Sequence, residues 1–392
     1  MVKKKIKKGY KQSELGIIPD DWNIENINCL SKNLLSGGTP STTNSEFWNG
    51  DIPWTRGAVL TQHYIDNAEK LISKKGLKHS SSVIIPKHNI LIASRVSVGN
   101  ISINKIDIAI NQDITGIIVK KEKILVEYFY WNLAYFIKKF VTFSQGTSIQ
   151  GFKRKELKKF KISFPSLPEQ EKISNLLSDI DKLIQKLDYL IEKKRNIKQG
   201  TVQELLTGKR RLGEFNEEWE IKKLGELLDY EQPTKYLVSN TNYNDNFNIP
   251  VLTAGKTFVL GCTNEKTGIF QNIPVIIFDD FTTATKFVTF PFKAKSSAMK
   301  ILKAKNVEIN LEYIFEMMQI IDFSVRDHKR YWLSEYQFLE LKIPKIDEQN
   351  SIMEILSDMK LEISQLEKQR DKYIMIKNAM MQKLLTGEIR IK

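Results

Sequence analysis

Between residues 169 and 208, apolar side chains return in steps of four and three, at Ile173, Leu177, Ile180, Ile184, Leu187 and Ile191. That rhythm is the seam of a coiled-coil helix. It returns 179 positions later at Ile352, Leu356, Met359, Ile363 and Leu366, where Arg370 interrupts it. Residues 169–208 and 348–387 align without a gap, share sixteen of forty positions, and both close on Leu-Leu-Thr-Gly. A repeat with a period near half the chain marks a tandem duplication, which has to be read before the fold. Pro168 suits a first helical turn, Asp347 is expected as an N-cap, and Gly208 and Gly387 are natural C-terminal stops. Some 40 helical residues extend roughly 60 Å. Two such helices, alike in length and seam, are expected to lie antiparallel as a coiled coil.

The segments ahead of the helices share a frame and differ inside it. Both open on a Trp-containing stretch (residues 18–24, with Trp22, and 215–221, with Trp219). Both carry a late amphipathic helix beginning near Val126 or Leu311, then Phe-Ser at 143–144 and 323–324, a basic loop, and a short strand into Pro165 or Pro344. The most apolar run, residues 124–137, holds Glu127 and Asn132 and reads as a buried amphipathic helix, with Trp131, Tyr135 and Phe136 assigned to the core. Within the frames, apolar runs of three to five residues bounded by turn formers predict short strands at 83–86, 90–93, 101–103, 117–119 and 274–278. Trp22 and Trp219 are 197 apart while the helices are 179 apart, so the first globular segment is longer by 18 residues. The expected fold class is therefore mixed α/β (α+β): two globular domains separated by two long antiparallel helices, with internal pseudo-twofold symmetry. The boundaries are 1–165 for the first domain with its basic N-terminal tail, 166–208 for the first helix, 209–346 for the second domain and 347–392 for the second helix.

Composition narrows the partner. Sixty Lys and Arg against 46 Asp and Glu give a formal net charge of +14, which favours a polyanion. Nucleic acid is preferred over a membrane, because no apolar run approaches the ~18 residues of a spanning helix. The basic start lacks the apolar stretch of a signal peptide, and the cysteines, Cys29 and Cys262, have no CxxC partner. Both features suit a reducing cytoplasm.

Chemistry on the chain itself is not expected. There is no Pro-Pro pair of the kind an adenine methyltransferase uses to hold a flipped base, and no Gly-rich cofactor loop. Residues 254–257 (Ala-Gly-Lys-Thr) imitate the end of a P-loop, but Pro250 stands where the leading Gly is required. His63, His79, His88 and His328 lack zinc-ligand spacing. Asp279-Asp280 could suggest a metal pair, but it ends an apolar strand and reads better as strand-end capping. Catalytic residues, metal ligands and cofactors on this chain are expected to be none.

The framing motifs carry a family resemblance. The Trp22 segment, the turn from Ser36 to Pro40, the stretch from Gly50 to Trp54, the Pro-x-x-x-Glu-Gln start of the helix (Pro165 to Gln170) and its Leu-Leu-Thr-Gly-x-x-Arg end (Leu205 to Arg211) occur in this order, and most of the frame recurs in the second half. In this order the chain resembles a specificity subunit of a type I restriction–modification system over nearly its whole length. The second copy departs in having Asp347 where the first has Pro168, and Ile389-Arg390 where the first has Arg210-Arg211. The resemblance implies two target recognition domains and a double-stranded DNA partner. It also implies two methyltransferase subunits, with restriction subunits carried on them. S-adenosylmethionine, ATP and magnesium would belong to those partner subunits.

Base edges are read by Gln, Ser and Thr, and phosphates are held by Lys and Arg. The first half offers Gln145, Thr147, Ser148, Gln150, Lys153, Arg154 and Lys155. The matching segment of the second half offers Arg326, His328, Lys329, Arg330 and Tyr331. Further candidates are Thr55, Arg56, Ser94, Arg95, Lys256, Thr282, Thr283 and Lys286. Two other readings stay open: a methyltransferase or nuclease with an unrecognised motif, which would act alone, and a non-specific DNA scaffold, which would bind random and specific duplexes alike.

Overall fold

The apolar run, the late amphipathic stretch of the second half and the two heptad seams become helices: α1 (Val126–Ser144), α2 (Leu167–Leu206), α3 (Leu311–Gln319) and α4 (Ile346–Leu385). The computed structural model describes residues 6–144, 151–244, 246–255, 257–325 and 329–391, with only the backbone course given at 138–144. Both long helices end on a glycine in the left-handed region, Gly208 (φ 69°) and Gly387 (φ 72°). Beyond each, an N–H bonds six residues back, Arg210 to Glu204 O and Ile389 to Lys383 O, so the last turns are closed alike. Asp347 is not the N-cap expected of it. Helix α4 already begins at Ile346, and Asp347 favours the first turn through the helix dipole instead.

The chain forms two units, Met1–Asp188 with Lys368–Lys392, and Tyr189–Glu367. Each contains part of both long helices. In the first unit, strands Ser31–Ser36, Ile114–Val119, Ile90–Ala93, Ile101–Asn104 and Tyr64–Ile65 form a five-stranded sheet in that order. A four-stranded sheet follows the order Lys70–Ile72, Ile52–Thr55, Ile108–Ile110 and Val83–Ile85. Helix α1 lies on the larger sheet. Its Tyr128, Phe129 and Leu133 join Ile90, Ile92, Ile103 and Ile117 in one core. Of the aromatics assigned to that core, Trp131 is buried, whereas Tyr135 and Phe136 are only partly covered and pack edge to face with each other.

The second unit repeats the plan with fewer strands. Leu228–Glu231, Met299–Ala304, Val275–Asp279 and Thr285–Val288 form one sheet, and Val259–Thr263, Ile249–Leu252 and Lys293–Ala294 another. The shared frame becomes a shared two-stranded pairing: Asn23–Asn26 with Lys161–Phe164 in one unit, Glu220–Lys223 with Glu340–Ile343 in the other. This ties the start of each globular domain to its last strand, just before the long helix.

The seams are buried where the heptad pattern places them, at Ile173, Leu177, Ile184, Leu187 and Ile191 and at Ile352, Leu356 and Ile363. Ile180, Met359 and Leu366 are partly covered. In the first unit Asp181 pairs with Lys377 at 2.7 Å and Asp188 with Arg370 at 3.5 Å. Seven residues forward on one helix match seven back on the other, so the segments run antiparallel. In the second unit Lys194 pairs with Glu362 at 2.7 Å, Arg195 pairs with Glu367, and Leu205 and Leu206 share a core with Ile352 and Leu356.

Each unit is closed by one arginine. Arg390, just past α4, donates through Nε and one terminal nitrogen to both oxygens of Glu169, each at 2.6 Å, and also to Asp21 at 2.7 and 2.8 Å. Arg211, just past α2, grips Glu348 at 2.8 and 2.7 Å and donates to Glu217 O at 2.8 Å. Each guanidinium lies over the indole of its unit, Trp22 or Trp219. Glu169 and Glu348 are 5% and 3% exposed, so neither carboxylate has water to fall back on. Hydrogen bonds to these carboxylates raise the pKa of both arginines.

Removing one partner of a buried ion pair strands the other charge. Arg390→Ala and Arg211→Ala are each expected to cost about 2–3 kcal/mol, discounted because the arginines keep some solvent contact. Thermal unfolding of the full chain should show this as a fall of roughly 4–10 °C. Lysine at either position should recover little, since it cannot make the two-pronged contact.

Candidate nucleic-acid interface

In both units the edge of interest lies where a central strand of the larger sheet ends. In the first unit, strand Ile90–Ala93 runs into Ser94, whose N–H and Oγ donate to Asp113 O at 2.7 and 3.1 Å. Ser94 O accepts from Phe152 N–H at 3.1 Å. A Cβ on Gly151 would stand 2.7 Å from Ser94 O, and this glycine also has φ 145°; only glycine permits both. The contact brings the basic residues 153–155 to the end of the strand. The Arg56 turn arrives by the same means, because a Cβ on Gly57 would meet Val96 O at 3.1 Å and Ala93 Cβ at 3.2 Å.

Arg56, Arg95, Lys153, Arg154 and Lys155 are all exposed along this edge. Arg56 pairs with Glu69 at 2.8 Å and Arg154 donates to Leu34 O at 3.4 Å, which leave both guanidinium groups at the surface. Thr55 and Ser94 are placed differently. They are 0% and 6% exposed and shape the edge rather than face outward. In place of Thr55, the structure offers two polar side chains that the residue pattern did not single out. Thr39 donates to the Gln112 amide oxygen at 2.7 Å, and both are exposed. Gln112 stands in the turn Asn111-Gln112-Asp113, next to the residue that holds Ser94. Three polar residues between two apolar strands were the available signal.

In the second unit the corresponding strand, Val275–Asp279, ends in a tight turn. Asp279 accepts from the N–H groups of Phe281 and Thr282 and from the Thr282 hydroxyl, so the strand-end capping reading fits. Asp280 then takes the place of Ser94: its carbonyl accepts from Tyr331 N–H at 2.8 Å and its carboxylate from Trp332 N–H at 2.9 Å. The carboxylate is buried with Lys300 at 3.3 Å, and Lys300 in turn lies over the Tyr230 ring. Two buried opposite charges hold this junction, where the first unit uses an uncharged serine.

Around it, Thr282, Lys286 and Arg330 are exposed and Thr283 and Lys329 partly so, with Lys329 paired to Glu335. Tyr331 does not belong to the surface. It is 1% exposed and packs on Phe323 in the core, because the N–H bond to Asp280 pulls the chain inward at that point. Gln145, Thr147, Ser148, Gln150, Lys256, Arg326 and His328 lie outside the described residues. Among the described residues no three His, Cys, Asp or Glu side chains gather into a metal site, and no helix is long and apolar enough to cross a membrane.

Both units thus hook a residue beside the basic cluster onto the residue just past the corresponding strand. The hooks are Phe152 onto Ser94 and Tyr331 onto Asp280. Sequence comparison agrees with this duplication. The model of the type I restriction modification DNA specificity domain matches twice, at residues 19–194 and 216–375. The EcoR124I/EcoR124II specificity subunit of a type I restriction enzyme of Escherichia coli is 50% identical over 141 residues, which span 35% of each chain. The MjaIX specificity subunit of Methanocaldococcus jannaschii is 28% identical over 361 residues, 85% of this chain and 79% of that one. The crystal structure of a type I restriction-modification S subunit from M. genitalium shares the fold, with a TM-score of 0.61, 16% identity and coverage of 93% of this chain and 96% of that one. With both globular domains and most of both helices inside the match, the chain belongs to the family of type I restriction–modification specificity subunits.

Proposed function

We propose that each globular domain reads one short stretch of double-stranded DNA, so that the chain recognises an asymmetric target in two parts. One observation carries this reading: two domains of different sequence present basic and polar side chains at the corresponding strand end, inside a repeated frame. Identical readers related by pseudo-symmetry would select a palindrome; unlike readers select two different half-sites. Arg56, Arg95, Lys153, Arg154 and Lys155 in one domain, and Lys286, Lys329 and Arg330 in the other, supply phosphate contacts. Base edges are read by exposed Thr and Gln side chains beside them, Thr39, Gln112 and Thr282.

The long helices act as the spacer that sets the distance between half-sites. They also serve as the surface on which two methyltransferase subunits dock, with restriction subunits held through them in the cytoplasm. Methyl transfer from S-adenosylmethionine to a flipped adenine, and ATP- and magnesium-dependent cleavage, take place on those partners. This chain contributes recognition and no catalytic group or cofactor.

The test is to co-express the chain with its methyltransferase subunit and map methyladenine across a genome. The expected result is one asymmetric motif of two short half-sites with a fixed gap; a compact palindrome, or no methylation, would overturn the reading. Inserting one helical turn in residues 169–208 and one in 348–387 should lengthen the gap and leave both half-sites unchanged. Altered half-sites with a constant gap would remove the spacer role. Substituting Lys153, Arg154 and Lys155 by Ala should weaken binding to all sequences, and the slope of log affinity against log salt should fall by about 0.9 for each phosphate no longer neutralised.

A further inference from the structure

Two hydrogen bonds fasten each globular domain to its long helix in the same way. Gln170 accepts from the Leu125 N–H at 2.9 Å and donates to Pro165 O at 2.9 Å. Gln349 accepts from the Asn310 N–H at 2.9 Å and donates to Pro344 O at 2.9 Å. Made to backbone atoms, these bonds would serve either domain on either helix. Three turns further along, the units part company. The repeat aligns Asp181 of α2 with Lys360 of α4, a reversal of charge at one position.

The surroundings are reversed as well. Asp181 accepts from Lys377 at 2.7 Å and lies 4.0 Å from His63 Nδ1. The imidazole is buried between the rings of Tyr64 and Tyr130, at 4.1 and 4.0 Å, and its Nε2 is 3.1 Å from Glu127. Lys360 instead donates to Glu312 at 3.0 Å and Glu316 at 2.8 Å. In the shared helical frame Glu312 stands for Glu127, and Glu316 for Trp131. Lys198, the repeat partner of Lys377, lines a cavity of about 410 Å³ beside Lys360 and Glu316. The backbone-directed bonds of the two junctions are therefore matched, and the facing charges are inverted.

We propose that this inverted pair is a charge key that restricts which globular domain is compatible with which long helix. With the second domain on the first helix, Asp181 would meet Glu312 and Glu316, three carboxylates around the single ammonium of Lys377. With the first domain on the second helix, Lys360 would find one carboxylate, Glu127, which already accepts from His63 and Tyr64. Mispairing is thus opposed chiefly in the first combination. An exchange of the two domains between their positions is thereby penalised by electrostatics at the junction, independently of which DNA each domain contacts.

Lys360→Asp in the full chain recreates the three-carboxylate junction without rearranging the domains. Its melting temperature should fall by roughly 4 °C or more below that of Lys360→Met, which removes the attraction without adding repulsion. The gap between the two variants should shrink in 1 M salt, and Glu316→Gln added to Lys360→Asp should raise the melting temperature. Equal melting of the two single variants would overturn the key. A second experiment uses a chain that carries residues 220–343 in both domain positions, with or without Asp181→Lys. The substitution should stabilise this rearranged chain and destabilise the native one. The same sign of effect in both would overturn the proposal.

Discussion

The grip of a trailing arginine on the leading glutamate of the opposite helix holds each unit together. Arg390 closes on Glu169 and Arg211 on Glu348. These are positions 211 and 390, 169 and 348, each pair related by the 179-residue repeat. Neither contact exists within one copy of the duplicated module; each requires the end of one helix to meet the beginning of the other. The Trp beneath each arginine comes from the opening of the globular domain, so one cluster joins domain, helix start and helix end. Buried carboxylates with a single bidentate partner leave little room for an alternative docking.

That constraint explains why the frame is repeated while its contents are free to diverge. The two-stranded pairing at the base of each domain, the glutamine bonds at the helix start and the arginine clamp all involve framing residues. None of them touches the strand ends where the basic edge lies. Sequence change at those ends can therefore alter what a domain contacts without loosening its attachment. The difference between Ser94 and Asp280 with Lys300 shows such change carried into the interior of the domain. The hook is kept and its chemistry is replaced.

Much of this was readable from the chain because it is periodic or duplicated. The heptad seam gave both helices to within a few residues, and the turn formers around residues 90–93 and 274–278 gave the central strands. What escaped depended on contacts remote in sequence. Tyr331 sits in a basic stretch and looks like a surface residue, until the bond from its N–H to Asp280, fifty-one positions earlier, draws it inward. Thr55 stands between Trp54 and the exposed Arg56, yet it ends the strand Ile52–Thr55 and is buried, its carbonyl accepting from the Asn111 N–H. Gln112 does not stand out in the sequence, because one polar turn among many carries no periodic signal. The aromatic spacing of α1 placed Trp131 in the core and Tyr135 against it, whereas Phe136 is only partly covered and packs edge to face on Tyr135.

The duplication also creates a difficulty that the charges at positions 181 and 360 address. A globular domain exchanged between the two positions would meet the same frame, and the backbone-directed glutamine bonds would not object. Hydrophobic seams cannot discriminate, because Leu177 and Leu356 are the same residue in the same place. Discrimination has to come from groups that penalise the wrong neighbour rather than reward the right one. A half-buried charge facing another of its own sign does this at a cost that falls only on the mispaired form. Lys360 shows how closely the balance is set: burial works against its ammonium, yet the hydrogen bonds to Glu316 and Glu312 outweigh that and hold its pKa above the ordinary lysine value. Taking those carboxylates away, or meeting them with a third, turns a satisfied junction into a strained one, and a pseudo-symmetric scaffold thereby distinguishes its two domain positions.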